Sequence, residues 1–240
     1  MEKYHLKDIV AEDAHTIYIH YPTEICCGQQ SADRDAWGCL WIKDEGSEKP
    51  SFDSSCCKLG EVDIVPFPEM REEEWEELGN EFNFTAKKGK KIILVFDVGT
   101  FSRAAMLIGY KELMDAMVAD PGCVKELFVA LAHFYNEGIR MCAKHIRIDS
   151  VSICCRWADD NNMYLTVSQW REFVKSGLLR TVRASHAVGA KCELVCKGCT
   201  EHIISDFVEM GLDELTLSGK YNDIDAIKAR YSRYLSMKFV

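Results

Sequence analysis

From residue 90 onward, short apolar runs alternate with longer segments of helical period, and this pattern constrains the chain most. KKIILVFDVG (90–99) is a continuous apolar run ending in Asp-Val-Gly, the mark of a strand buried on both faces. SRAAMLIGYKELMDAMVAD follows at helical spacing, and Pro121 punctuates it. GCVKELFVALAHFYNEGIRMCAKH (122–145) is a strong helix with Val124, Leu127, Phe128, Leu131 and Phe134 on one side. IRIDSVSICC (146–155) is a second strand, and a helix capped near Ser168 runs to about residue 188. AKCELVCKG (190–198), LDELTLSG (212–219) and YLSMKFV (234–240) are further strands, with helices at 200–211 and 224–232 between them. HTIYIHY (15–21) adds an earlier strand, and the acidic run EMREEEWEELGNEF opens a surface helix over 69–87. Such alternation demands a parallel sheet with helices outside it, closed or open.

Composition limits the function classes. The 240 residues carry a formal net charge of -9, which gives no general attraction to nucleic acid or to anionic membranes. No apolar run approaches the roughly 18 residues of a membrane helix. The N-terminus lacks the apolar core of an export signal, so the expected location is cytoplasmic. Twelve cysteines include the adjacent pairs Cys26-Cys27, Cys56-Cys57 and Cys154-Cys155, which suits reduced thiols in a reducing or anaerobic cytoplasm better than disulfides. Residues 22–62 are rich in Gly, Ser, Asp and Cys and read as a loop-rich insertion. With no interior linker or repeat, residues 1–240 are expected to form one domain.

Several segments carry a resemblance. GTFSRAAMLIGYKELMDAMVADP (99–121), DSVSICCRWADD (149–160), VSQWREFVKSGLLRTVRASHAVGAK (167–191), MGLDELTLSG and NDIDAIKARYSRYLSM resemble, in order and spacing, the uroporphyrinogen decarboxylase superfamily. DRDAWGCLW (33–41) resembles the D-x-W-G-x-x-W segment of its methyltransferase-like branch. The resemblance implies an α/β fold, a TIM-type (β/α) barrel with its site at the C-terminal strand ends. Only about six of the eight strands of such a barrel are visible, so the barrel is expected to be incomplete. The resemblance also implies zinc as a cofactor, held by a His-x-Cys pair at a strand end plus a later Cys, and a corrinoid carried on a partner protein. In this chain the two strand-end ligand positions are Val195 and Lys197.

Strand alternation sorts the motif CELVCKGCTEH (192–202). Residues 193, 195 and 197 share one face; the resemblance, which puts ligand positions at 195 and 197, turns that face to the barrel interior, so Cys192, Leu194 and Cys196 are expected to pack outward under the helices. Cys199 lies on the rim with His202, and Cys155 ends the neighbouring strand; Cys155, Cys199 and His202 are therefore the candidate metal ligands. Asp97, Cys155 and Arg156 are the catalytic candidates, and Trp157, Arg103 and Trp37 the substrate-binding ones. The plainer readings are that Trp157 caps the core, that Arg156 pairs with Asp159 or Asp160, that Asp97 caps a helix, and that Trp37 and Asp35 stitch a loop to the barrel. The leading expectation is a methyltransferase exchanging a methyl group between a small methylated molecule and a corrinoid protein. Porphyrinogen decarboxylation, with Arg103 and Arg156 gripping carboxylates, is the first alternative. A non-catalytic or split barrel, completed by another chain or copy, is the second.

Overall fold

The computed structural model describes residues 10–21, 32–42, 51–59, 67–68, 71–86, 89–159 and 162–240. Cys26, Cys27, Asp160 and much of the 22–62 segment lie outside the described residues. A seven-stranded sheet dominates: β1 (Val10–Glu12), β2 (Thr16–His20), β6 (Lys91–Phe96), β7 (Ser150–Cys155), β8 (Lys191–Cys196), β9 (Glu214–Leu217) and β10 (Ser236–Phe239) follow one another in that order. Every neighbouring pair is parallel except β1 on β2, a short antiparallel edge that the sequence reading did not anticipate. The strand–helix alternation thus builds the wall of a TIM-type barrel. Among the described residues the wall stays open, with β1 and β10 as its edges.

The two faces of the sheet differ chemically. Ile17 and Ile19, Ile92, Leu94 and Phe96, Val151 and Ile153, Cys192 and Leu194, Leu215 and Leu217 are all buried on one face. There they meet α2 (Thr100–Ile108), α4 (Pro121–His145), α6 (Lys175–Ala187) and α7 (Ile204–Met210), whose apolar stripes complete one core. The alternate residues form the opposite face, which is more polar. Its floor is an ion-pair network in which Lys238 meets Glu214, and Glu193 at 3.7 Å, while Thr216 Oγ1 donates to Glu193 Oε1 at 2.9 Å.

Other elements fill in the outline. α1 (Glu72–Ala86) is the acidic helix, and α8 (Ile224–Tyr231) precedes β10. The segment read as one helical stretch after β6 is broken into α2 and α3 (Tyr110–Ala119), because Gly109 adopts φ +98 and its N–H closes α2 onto Ala105 O. Asp120 caps α4 by accepting from the Cys123 N–H, with Pro121 at the first helical position. The helix expected to be capped near Ser168 is capped by Thr166, in a reciprocal box with Gln169. It begins as α5 (Val167–Gln169), widens into a π turn at Trp170–Val174 and continues as α6.

The segment read as loop-rich contains a second, three-stranded sheet: β3 (Ala32–Arg34), β4 (Leu40–Ile42) and β5 (Ser51–Ser54), all antiparallel. Asp35 organises it. Its Oδ1 accepts the backbone N–H groups of Trp37 and Cys39, each at 2.9 Å, and its Oδ2 accepts Trp41 Nε1 at 2.9 Å and Arg103 Nη1 at 3.3 Å. The Arg103 guanidinium lies 4.6 Å from the centre of the Trp37 ring, which packs at 4.9 Å against Phe134 of α4. The D-x-W-G-x-x-W motif thus pins this small sheet to α2 and α4.

Candidate active site at the strand ends

Residue parity decides which side chains reach the open face. Tyr18 and His20 alternate with the buried Ile17 and Ile19, so His20 ends β2 facing the open side. Asp97 follows β6 with the parity of Ile93 and Val95. β2 and β6 are adjacent, with His20 opposite Val95, which brings the two polar side chains together. His20 Nδ1 lies 2.7 Å from Asp97 Oδ2, and both side chains are partly exposed. The hydrogen bond that Asp97 Oδ2 accepts from Nδ1 raises the His20 pKa above its ordinary 6.5, and partial burial opposes this without cancelling it. With Nδ1 held by the carboxylate, Nε2 is directed elsewhere, and among the described residues it has no hydrogen-bond partner. Asp97 caps no helix: α2 is entered through Gly99, with no side-chain cap.

β7 brings the next groups. Ser150, Ser152 and Cys154 face the open side, and Arg156, one step beyond the strand, continues the series. Cys154 is half-buried; burial raises its pKa, while Lys197 and Arg156 pull it down without prevailing. In β8, Glu193 and Val195 are partly exposed and Lys197 is exposed, whereas Cys192, Leu194 and Cys196 are fully buried under the helices. This is the register expected from alternation.

The rim loops are tied together. Gly198 sits at φ +87, and a Cβ there would lie 2.4 Å from Asp159 O and 2.7 Å from Ala158 O, so only glycine permits this approach. The Cys199 N–H donates to Asp159 O at 2.9 Å. Asn222 Nδ2 donates to Gly198 O at 3.0 Å and to Ser218 O at 2.9 Å, while its Oδ1 accepts the Thr200 N–H at 3.0 Å. The connections after β7, β8 and β9 therefore form one stitched edge.

Several expected site residues lie elsewhere. Cys155 has the parity of Val151 and Ile153, so it points into the helix layer, not onto the rim. Its thiol is raised well above the ordinary range by burial and by a hydrogen bond with Cys196, which removes it from the open face as a nucleophile or ligand. Trp157 is buried between Trp170 and Phe207, at 5.7 and 6.1 Å, and caps the core. Arg103 and Trp37 are fully buried beside Asp35, away from any solvent-borne substrate. Of the six catalytic and substrate-binding candidates, Asp97 and Arg156 reach the open face. Sequence reading missed His20 and Cys154, and treated Lys197 only as a lost ligand. The alternation in HTIYIHY carried the signal for His20, since it places the histidine at the C-terminal end of a strand on the face opposite two isoleucines.

The donor set for zinc splits by location. The family's strand-end ligand positions hold Val195, which has no donor atom, and Lys197, which repels a cation, so zinc does not fit there. On the rim, Cys199, Glu201 and His202 have ligand atoms within 4.8 Å of one another. Glu201, and not the buried Cys155, is the third donor beside Cys199 and His202, and these three donors suit a zinc ion with a coordination position to spare. Burial raises the Cys199 thiol, and the Glu201 charge adds to this, so a metal would have to displace the proton on binding.

No curated protein sequence matches the chain. Its fold is similar to that of a methyltransferase from Methanosarcina mazei, with a TM-score of 0.64 at 16% identity over 85% of this chain. The chain spans 60% of that methyltransferase's length. A weaker likeness, with a TM-score of 0.38 at 15% identity, covers 72% of this chain and 64% of GH26A from Muricauda sp. MAR_2010_75 and carries no argument. A family model described as uroporphyrinogen decarboxylase (URO-D) matches residues 35–236, and the chain belongs to that family.

Proposed function

We propose that the protein transfers a methyl group from a small methylated molecule to a corrinoid protein, using His20 as general acid. The observation that carries this reading is the His20–Asp97 pair, 2.7 Å apart at the C-terminal strand ends, with Nδ1 held and the His20 side chain partly exposed. Transfer of a methyl group from an ether or amine breaks a C–O or C–N bond and leaves negative charge on the departing atom. A proton delivered from Nε2 removes that charge as the methyl group passes to the corrinoid, and the demethylated alcohol or amine departs neutral. The Asp97 hydrogen bond raises the His20 pKa, which favours the protonated ring that an acid requires, and Asp97 fixes the ring and its tautomer. A reduced corrinoid supplies the nucleophile when its partner protein docks. Cys199, Glu201 and His202 would hold zinc, which would supply Lewis acidity at the rim; no step above depends on it.

The decarboxylase alternative keeps Arg156 but loses Arg103, whose guanidinium is buried against Asp35. It gains Lys197 as a second carboxylate-binding cation. Anaerobic incubation with cob(I)alamin and a panel of methoxybenzoates and methylamines tests the proposal. Loss of the cob(I)alamin absorbance, with His20→Ala at least about 100-fold slower, is the expected outcome. Failure of every donor, together with carbon dioxide release from a porphyrinogen, would replace it with the alternative.

A further inference from the structure

Three thiols gather beside the C-terminal end of α2, outside the strand-end site. Cys39 stands just before β4, and Cys56 and Cys57 follow β5. The antiparallel pairing that sets Leu40 against Ser54 carries Cys39 towards Cys56. Their sulfurs lie 3.7 Å apart, with the Cys39 thiol donating. The backbone fixes both partners. The Cys39 N–H donates to Asp35 Oδ1 at 2.9 Å, and the N–H groups of Cys56 and Cys57 donate to Leu107 O at 3.2 and 3.0 Å. Asp35 is held in turn by Trp41 and Arg103, so the frame that pins the small sheet to α2 also brings the two sulfurs together.

The two sulfurs differ in access and in charge. Cys39 is fully buried, whereas Cys56 is partly exposed. Hydrogen bonds from Cys39 and Cys57 hold the Cys56 thiol below its ordinary range against the effect of burial, and the Arg103 guanidinium adds to this. The bond to Cys56, followed by burial, holds the Cys39 thiol well above its own range. One sulfur is a nucleophile that a small reagent reaches; the other is a protonated neighbour behind it. Cys155 and Cys196 are also hydrogen-bonded to each other, but both are fully buried.

We propose that Cys39 and Cys56 form a reversible redox pair that takes small disulfides as its substrate, with Cys56 attacking and Cys39 resolving. The pair is independent of the methyl-transfer reading. In the first step the Cys56 thiolate attacks a low-molecular-weight disulfide: a new S–S bond forms at Cys56, the reagent's S–S bond breaks, and one thiolate leaves and takes a proton from solvent. Capping removes the negative charge on Cys56, and with it the bond that kept the proton on Cys39. Cys39 then gives its proton to solvent and attacks Cys56. The Cys39–Cys56 bond forms and the second small thiol leaves. The small disulfide gains two electrons and the protein dithiol loses two. The product joins the start of β4 to the chain after β5, and excess thiol reverses both steps. Disulfides of a reducing compartment are transient in this way.

The test adds oxidised glutathione to the reduced protein, quenches with acid, alkylates, and maps the unreduced peptides by tandem mass spectrometry. A Cys39–Cys56 cross-link is expected, formed at least about tenfold faster than any link between Cys155 and Cys196 and reversed by reduced glutathione. Cys57→Ala should keep the cross-link. Cys39→Ala should stall at the glutathione adduct on Cys56, raising it about tenfold or more above its level in the unsubstituted protein. A Cys56 that stays unmodified, an adduct that never becomes a cross-link in the unsubstituted protein, or a cross-link from Cys56 to Cys57 would overturn the pair. So would an adduct level that Cys39→Ala leaves unchanged. Cross-linking of Cys39–Cys56 and Cys155–Cys196 at one rate would place the reaction in the unfolded chain and overturn it equally. That comparison is made in the unsubstituted protein, so a variant that fails to fold does not blunt it.

Discussion

His20 shows how a single side chain acquires a role from its neighbour. Its pKa is raised by the Asp97 hydrogen bond, so Asp97→Asn should lower it toward the ordinary value. Titration of the His20 ring protons by NMR reads this directly, and an unchanged midpoint would contradict the pairing. The linkage to stability has a definite sign. Because the folded pKa lies above the unfolded one, the pair stabilises the fold fully below pH 6.5 and loses that contribution as pH rises through the folded value. Both groups are partly exposed, so solvent screening keeps the effect small. Gly198 supplies a second test at this scale. Gly198→Ala forces a Cβ against Asp159 O and imposes a left-handed backbone on alanine, at a cost of about 1–3 kcal/mol in chemical denaturation. Such details were only partly legible in the sequence. Parity placed Cys192 and Cys196 correctly, but it was not applied to Cys155, the last residue of the strand read over 146–155, which was assigned to the site although it shares the parity of Val151 and Ile153.

At the scale of elements, the strands and most helices were legible because their apolar periods are strong. The break at Gly109 was not, since the apolar spacing runs through it and only the backbone conformation of one glycine separates α2 from α3. The small β3–β4–β5 sheet was hidden for another reason. Its strands are short, and tertiary partners decide them, chiefly Asp35 with Trp41 and Arg103. Residues with functional chemistry proved structural here, because a buried Asp–Arg pair under an indole is stable only when complete. Asp35→Ala removes the carboxylate that faces the buried Arg103 guanidinium, and should cost about 3–5 kcal/mol of stability. Thermal and denaturant unfolding measure this. A change below about 1 kcal/mol would show that the pair does not anchor the hairpin.

At the scale of the whole molecule, the sheet is the wall of a barrel whose helix-facing side is apolar and whose other side is largely polar and lined with functional groups. β10 forms an edge among the described residues, and an unpaired edge is a template for another chain. Sedimentation velocity at micromolar concentration is expected to show self-association or a requirement for a partner, and a well-behaved monomer would contradict that expectation. The fold class could be read from strand–helix alternation together with the family's segments in order. The sequence pointed to the C-terminal strand ends for the candidate site but not to the His20–Asp97 pair there, because His20 lies 77 residues before Asp97 and the β2–β6 pairing joins them. The most direct test of the account is the pH dependence of methyl transfer from 3-methoxybenzoate to cob(I)alamin. The account predicts that activity falls on the basic side as His20 loses its proton, that Asp97→Asn moves this limb to lower pH, and that His20→Ala abolishes it. A profile that is the same in all three proteins would contradict it.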